Sequence, residues 1–487
     1  MTASRPFLWS VLLVAAALRL ALALSGGQEF FGDEIRARRG YALYDAVRTG
    51  AWDRARLQLV RADHPGFTYV VAAIAPLHHG LAQFTRHGEW KTWADIAPTL
   101  GIGAALLGLF SVAALGLVAR LARAAGGDDA TVGWTLLLAA ASTSLLFYSR
   151  HLVPYDAALC AGLAALWLAL AKPSLAGRLG SGACAGAAFM IYHGYWFFGP
   201  LTALALAWKH PAARWWRDGV AWALGGLLVV LLVWLPGALL EGADYWRAVF
   251  GFSGSITHGD FAEGGTLPFA FWWATEGWLG LGLAALLGTA LGLTAARGVR
   301  WPKAAALWAI LLAGGYALLA GASWAEKFVV YGRTARALTP FVCLLGGIVL
   351  ARLTRTRRTA QFALLALIIA GAGANFAPHL RQRFPADVAR AIRAENGGPR
   401  ETVSYAAVDR QIPPPAPTRP DLVLVNAAVL HPLGRFVGYP PGEVLLDLPH
   451  PGALPAYQFE GYTPRERAEL ATHPPRLRLV RIAPSAN

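Results

Sequence analysis

The feature that most constrains this chain is a succession of apolar runs, most of them about 17 to 25 residues long and several shorter, parted by short basic segments. They lie near 7–24, 96–121, 132–148, 155–171, 179–192, 195–208, 220–240, 269–295, 304–322, 337–353 and 362–374. In lipid every backbone N–H and C=O needs an internal partner, so such runs cross as helices. They predict a mainly α fold, a polytopic transmembrane bundle of about eleven spans. Composition agrees: 56% of residues are hydrophobic, 15% are charged and 19 are Trp, a mixture no single soluble core accounts for.

The net charge of +15 does not point to nucleic acid, because no basic stripe with interleaved aromatics occurs. Lys and Arg gather instead between spans, around 120–123, 172–178, 209–217, 297–303 and 352–358. With the Arg5 end cytoplasmic, these become an unbroken set of positive inside loops. The protein is expected in the cell membrane on that orientation, with loop 25–95 on the outer face. The first apolar run, ending Ala21-Leu22-Ala23, also has the look of a signal peptide. A retained anchor is preferred, since cleavage would detach the loop behind it. Cys160, Cys184 and Cys343 sit in apolar runs without disulfide or metal-ligand spacing.

Residues 1–374 make up the predicted membrane domain. Beyond them, 375–487 read as a small extracytoplasmic α/β domain, with a helix at 387–395, a stiff Pro-rich connection at 411–417 and strands at 421–425, 443–446 and 477–482. Loop 25–95 is too long for a simple connection, which marks it as functional. Within it 34–47 reads as an amphipathic helix and 66–81 as an apolar helix, both suited to the interface.

Gly32-Asp33-Glu34 opens that loop. Group transfer to a hydroxyl or amine needs a base within hydrogen-bond reach of the acceptor, a role Asp33 can fill. Equally, Asp33 caps the next helix while Glu34 pairs with Arg38. Arg36 and Arg39 share a helix face one turn on, and guanidinium forks match phosphate as readily as lipid headgroups or water. His64, fixed by Pro65, can donate to a phosphate oxygen. Arg150 with Tyr155 and Asp156 forms a polar cluster between two spans, either functional or an interfacial anchor in which Asp156 pairs with Arg150. Tyr192 and His193 form an outer turn that lines a cavity or belongs to an aromatic belt. In the outer loop 241–267, His258 and Asp260 would hold an acceptor or divalent ion, or are plain solvated charges. Arg333 and Arg336, a turn apart ahead of Pro340, offer another phosphate-facing pair.

Taken together, Phe31-Gly32-Asp33-Glu34, Thr49-Gly50-Ala51-Trp52, His64-Pro65-Gly66-Phe67, Ser149-Arg150 with Pro154-Tyr155-Asp156, and the segment from Arg333 to Pro340 resemble the GT-C glycosyltransferases that use polyprenyl-phosphate sugars. The nearest pattern is the protein O-mannosyltransferase and aminoarabinose transferase superfamily, like glycosyltransferase family 39. The resemblance implies an inverting transferase that moves a sugar from a polyprenyl-phosphate donor to an extracytoplasmic lipid, glycan or protein. It makes Asp33 the base and Glu34 its catalytic partner, with His64, Arg150 and Arg336 near the donor phosphate. No cofactor is required, although Asp33 and Glu34 with His258 or Asp260 leave a divalent metal open. Gly66 departs from the pattern, where relatives commonly carry a second Pro, and the tail matches no carbohydrate-binding domain. Two other readings stay open: a lipid-linked-saccharide transporter, whose repeats and broken helices are not evident in the sequence, and a ligase-like transferase with a diphosphate donor.

Overall fold

The computed structural model describes residues 5–28, 31–61, 63–84, 96–209, 215–257, parts of 272–290, most of 301–384 and three strands in the tail. Helix α1 (Arg5–Leu24) is the anchor, and the outer loop then folds as α2 (Ile35–Arg48), α3 (Trp52–Leu59) and α4 (Pro65–Phe84). The bundle continues with α5 (Leu100–Ala124), α6 (Asp129–Ala141), α7 (Thr143–Leu146), α8 (Tyr155–Ala171), α9 (Leu175–Ile191) and α10 (Phe198–Lys209). It closes with α11 (Trp215–Glu241), α12 (Ala243–Thr257), α13 (Lys303–Trp324), α14 (Gly332–Ala335), α15 (Thr339–Thr354) and α16 (Arg358–Leu380).

Among the described residues six helices are long and apolar enough to cross a membrane, or seven if a bent pair counts as one span. The expectation of about eleven is therefore not met by length. Helices α8 and α9 have 17 residues each and α10 has 12; seventeen residues reach only about 26 Å against a hydrocarbon core of about 30 Å. Of the three, α10 leaves Leu204 and Trp208 exposed. The run predicted at 269–295 lies mostly outside the described residues, as do the helix at 387–395 and the Pro-rich connection.

Helix α8 is buried along most of its length and packs on α5, α9 and α10, which makes it the post on which the site is built. Helices α9 and α11 approach so closely that a Cβ on Gly182 or Gly225 would overlap a carbonyl oxygen of the other helix, the small-residue contact by which membrane helices associate. The far side of α11 exposes Leu224, Leu228, Leu231 and Leu235, a face for lipid.

The span at 129–150 is broken, turning by 66° after Ala141. Ser142 caps α7, and the buried Glu276 seals the break. Its Oε1 accepts from Ser142 Oγ at 2.6 Å and Ser144 N at 2.9 Å, and its Oε2 from Thr143 N at 2.9 Å. A broken helix is thus present although the sequence does not display one, and its freed N–H groups are taken by the chain's own carboxylate.

In the tail, β1 (Leu422–Asn426), β2 (Gly442–Pro449) and β3 (Arg476–Ile482) form where strands are predicted. They make one antiparallel sheet in the order β1-β3-β2, with a register shift between Val444 and Leu446.

Candidate active site

The predicted amphipathic helix is α2, and the turn Gly32–Glu34 leads straight into it. Asp33 is the focus of that turn. Its Oδ1 pairs with Arg36, one turn along α2, while its Oδ2 accepts a hydrogen bond from the Tyr155 phenol at the start of α8. Arg333 Nε stands 3.7 Å from the same Oδ2. Glu34 points elsewhere. Its Oε2 accepts from Phe31 N at 3.0 Å and its Oε1 from Leu152 N at 2.8 Å. Glu34 braces the turn against the start of α8, so the expected catalytic partner of Asp33 is a positioning residue. Among the described residues no cluster of three or more side chains that could hold a metal ion occurs.

The expected phosphate-facing arginines of α2 converge on a residue the sequence reading passed over. Asp63 Oδ2 lies 3.3 Å from Arg36 Nε, and Asp63 Oδ1 lies 2.6 Å from an Arg39 guanidinium nitrogen. Burial pushes the Asp63 carboxyl up, but Arg36 and Arg39 outweigh it and hold the group below the usual range. Arg333 donates from Nε to the Tyr192 phenol at 3.0 Å, its carbonyl accepts from Tyr195 at 2.9 Å, and its guanidinium lies 4.1 Å from the Tyr331 ring centroid. Three arginines and two aspartates are thereby linked in one ion-pair network. The network carries one net positive charge.

His64 has a positive φ of 52°, in the left-handed region that few residues other than glycine adopt. Such strain gathers at functional sites. Its Nδ1 accepts the backbone N–H of His193 at 3.1 Å, which leaves its one proton on Nε2. The ring lies 5.1 Å from that of Tyr192 and 4.7 Å from that of His193. Burial, then nearby Arg36, hold His64 well below the ordinary histidine range, and burial lowers His193 to about 4. Both are neutral rings. The departure at Gly66 now has a reason: a Cβ there would meet the Met190 carbonyl at 2.7 Å, so the missing side chain lets α4 seat on the end of α9.

Two expected phosphate ligands are corrected. Arg150 is buried and its guanidinium is spent on backbone carbonyls: Gly26 O at 2.6 Å, His379 O at 2.7 Å and Ser25 O at 3.4 Å, with Phe384 stacked at 4.6 Å. It ties the end of α1 to the end of α16. Arg336, fully buried, pairs with Asp156 and lies 4.6 Å from the Tyr148 ring centroid. Asp156 therefore belongs to the bundle interior and not to a substrate cavity, and its partner is Arg336 rather than Arg150. Tyr155, Tyr192 and His193 do border the network. His258 and Asp260 fall outside the described residues. The reading also missed Arg19, which lies inside α1 and donates to Ser111 Oγ at 2.8 Å, and Glu276. An ionisable residue inside an apolar run was the available signal for both.

An apolar cavity of about 770 Å³ lies between α13, α15 and some of the described residues of 272–290, lined by Trp272, Trp301, Leu312, Tyr316, Leu338 and Val342 among others. One stretch of chain serves both places, since Arg333 stands in the network while Ala335, Leu338 and Thr339 face the cavity.

No family model and no curated protein sequence matches the chain. Solved structures do. The crystal structure of ArnT from Cupriavidus metallidurans in the apo state aligns with a TM-score of 0.51 at 17% identity, over 77% of this chain and 65% of that one. The Archaeoglobus fulgidus oligosaccharyltransferase in the apo form gives 0.45 at 11%, over 81% and 59%. The archaeal oligosaccharyltransferase AglB from the same organism, in complex with an inhibitory peptide and a dolichol-phosphate, gives 0.41 at 12%, over 80% and 58%. The chain thus spans about two thirds of the length of the ArnT structure. At these identities the likeness is one of fold, and it is carried by ArnT: the chain is a multi-pass membrane protein whose helical bundle is similar in fold to that structure.

Proposed function

We propose that the protein is an integral membrane inverting glycosyltransferase that moves a sugar from a polyprenyl-phosphate donor to an extracytoplasmic acceptor, with Asp33 as base. The observation that carries this reading is the joining of the Asp33 network to the apolar cavity by residues 333–339. A lipid-phosphate sugar needs both surroundings at once, an apolar bed for its chain and cations for its phosphate. Arg36, Arg39 and Arg333 serve the phosphate, with His64 donating from Nε2.

In the step proposed, Asp33 takes the acceptor's proton as the acceptor oxygen or nitrogen bonds to the anomeric carbon. The bond from that carbon to the phosphate oxygen breaks and its electron pair stays on the phosphate. The arginines stabilise the charge that grows there. One net positive charge in the network suits the single negative charge of a phosphodiester better than the two of a diphosphate donor. Transport is disfavoured at the broken span, because a half-helix end that would receive a substrate anion in a transporter is occupied by Glu276.

The test is transfer from a purified polyprenyl-phosphate sugar. Asp33→Asn should slow it by about 100- to 10,000-fold, the usual worth of a positioned base, while leaving the heat stability near that of the unmutated protein. A near-normal rate removes Asp33 from the role.

A further inference from the structure

Both oxygens of Asp33 are taken up. Arg36 faces one, and Tyr155 with Arg333 faces the other, so an acceptor hydroxyl reaches neither until a partner moves. Arg36 stands between two aspartates, reaching Asp33 on one side and Asp63 on the other. A guanidinium has five N–H donors, so passing it from a carboxylate to another anion needs a side-chain rotation and no movement of α2. Both side chains keep a little solvent exposure, 17% for Arg36 and 11% for Asp33.

We infer that an entering phosphate competes with Asp33 for Arg36, so that the donor frees its own base as it binds and must bind before proton transfer to Asp33 can occur. The inference rests on the proposed function and adds an order of events to it. Asp63 holds Arg36 and Arg39 together and stays with Arg39 when Arg36 turns. The neighbouring Glu34 takes no part, since its oxygens are held by Phe31 and Leu152.

The test is a double-mutant cycle on the dissociation constant of undecaprenyl phosphate, measured with the full chain in detergent. Asp33→Asn, near-isosteric and unable to compete, should tighten binding about tenfold, within the coupling range of contacting charges. In an Arg36→Gln background the same change should alter binding less than about twofold. In an Arg39→Gln background the tightening should persist, because Arg39 pairs with Asp63. Equal tightening in all three backgrounds means plain charge repulsion and overturns the inference, as does no tightening at all. If Arg36→Gln does not fold, the unmutated protein gives the answer: undecaprenyl phosphate should raise carbodiimide modification of Asp33 over that of Asp63, and unchanged or lower modification overturns the inference. Failure of the unmutated protein to bind undecaprenyl phosphate overturns the proposed function with it, whereas binding without coupling through Arg36 overturns this step alone.

Discussion

Arg39 and Arg336 are one residue type at two depths. Arg39 keeps 20% of its side chain exposed and shares Asp63 with Arg36, whereas Arg336 is sealed at 0% against Asp156. Arg150 resembles Arg336 in this respect, its N–H groups taken up by carbonyls at two helix ends. The outer arginines are held by side chains that can turn, and the inner ones by backbone or by a buried charge that cannot. A guanidinium is available to a ligand when its present partners can release it, and sequence spacing does not report that.

The largest effect expected from this contrast is structural. Arg336→Leu leaves Asp156 buried without its partner and should lower the unfolding free energy by about 3–5 kcal/mol, seen as a fall in melting temperature in detergent. Arg150→Gln comes next, with the loss of charge-assisted bonds to carbonyls costing about 1.5–3 kcal/mol; the folded fraction should bind undecaprenyl phosphate as before. Arg39→Gln should reverse the pattern, weakening that binding about tenfold while changing stability by less than about 1 kcal/mol. If Arg150→Gln weakens binding at an unchanged melting temperature, Arg150 belongs with the outer set and the contrast fails.

What the sequence made legible was local. The anchor, the amphipathic helix behind Asp33, the apolar helix from Pro65 and the three tail strands each announce themselves by period and by flanking residues. The placing of Tyr155 and of the turn at Tyr192 and His193 beside Asp33 followed from counting spans to one face. What stayed hidden was the choice among distant partners. Arg150 and Arg333 read alike in sequence, and only the fold sends one to the carbonyls of Gly26 and His379 and the other to the Tyr192 phenol. Asp63 stands one residue ahead of His64-Pro65-Gly66-Phe67, and its value lies in facing α2 across the loop.

A pH series tests whether the rings beside the outer network are as neutral as their geometry requires. His193 has a value of about 4 in the folded chain against about 6.5 when unfolded. Between those values the unfolded chain binds a proton that the folded chain refuses, so stability is complete above about pH 6.5 and declines as pH falls toward 4. The slope is at most about 1.4 kcal/mol per pH unit for one such group. Below that window the loss passes to Asp63, whose depressed value protects its ion pairs until more acid conditions. Other histidines contribute to the total, so the measurement is a difference: melting temperatures of unmutated protein and His193→Asn across pH 7 to 4, with the variant the flatter of the two. Parallel curves would mean that His193 takes up its proton in the folded site, and with a charge beside His64 the outer network would hold one more cation than its ion pairs account for.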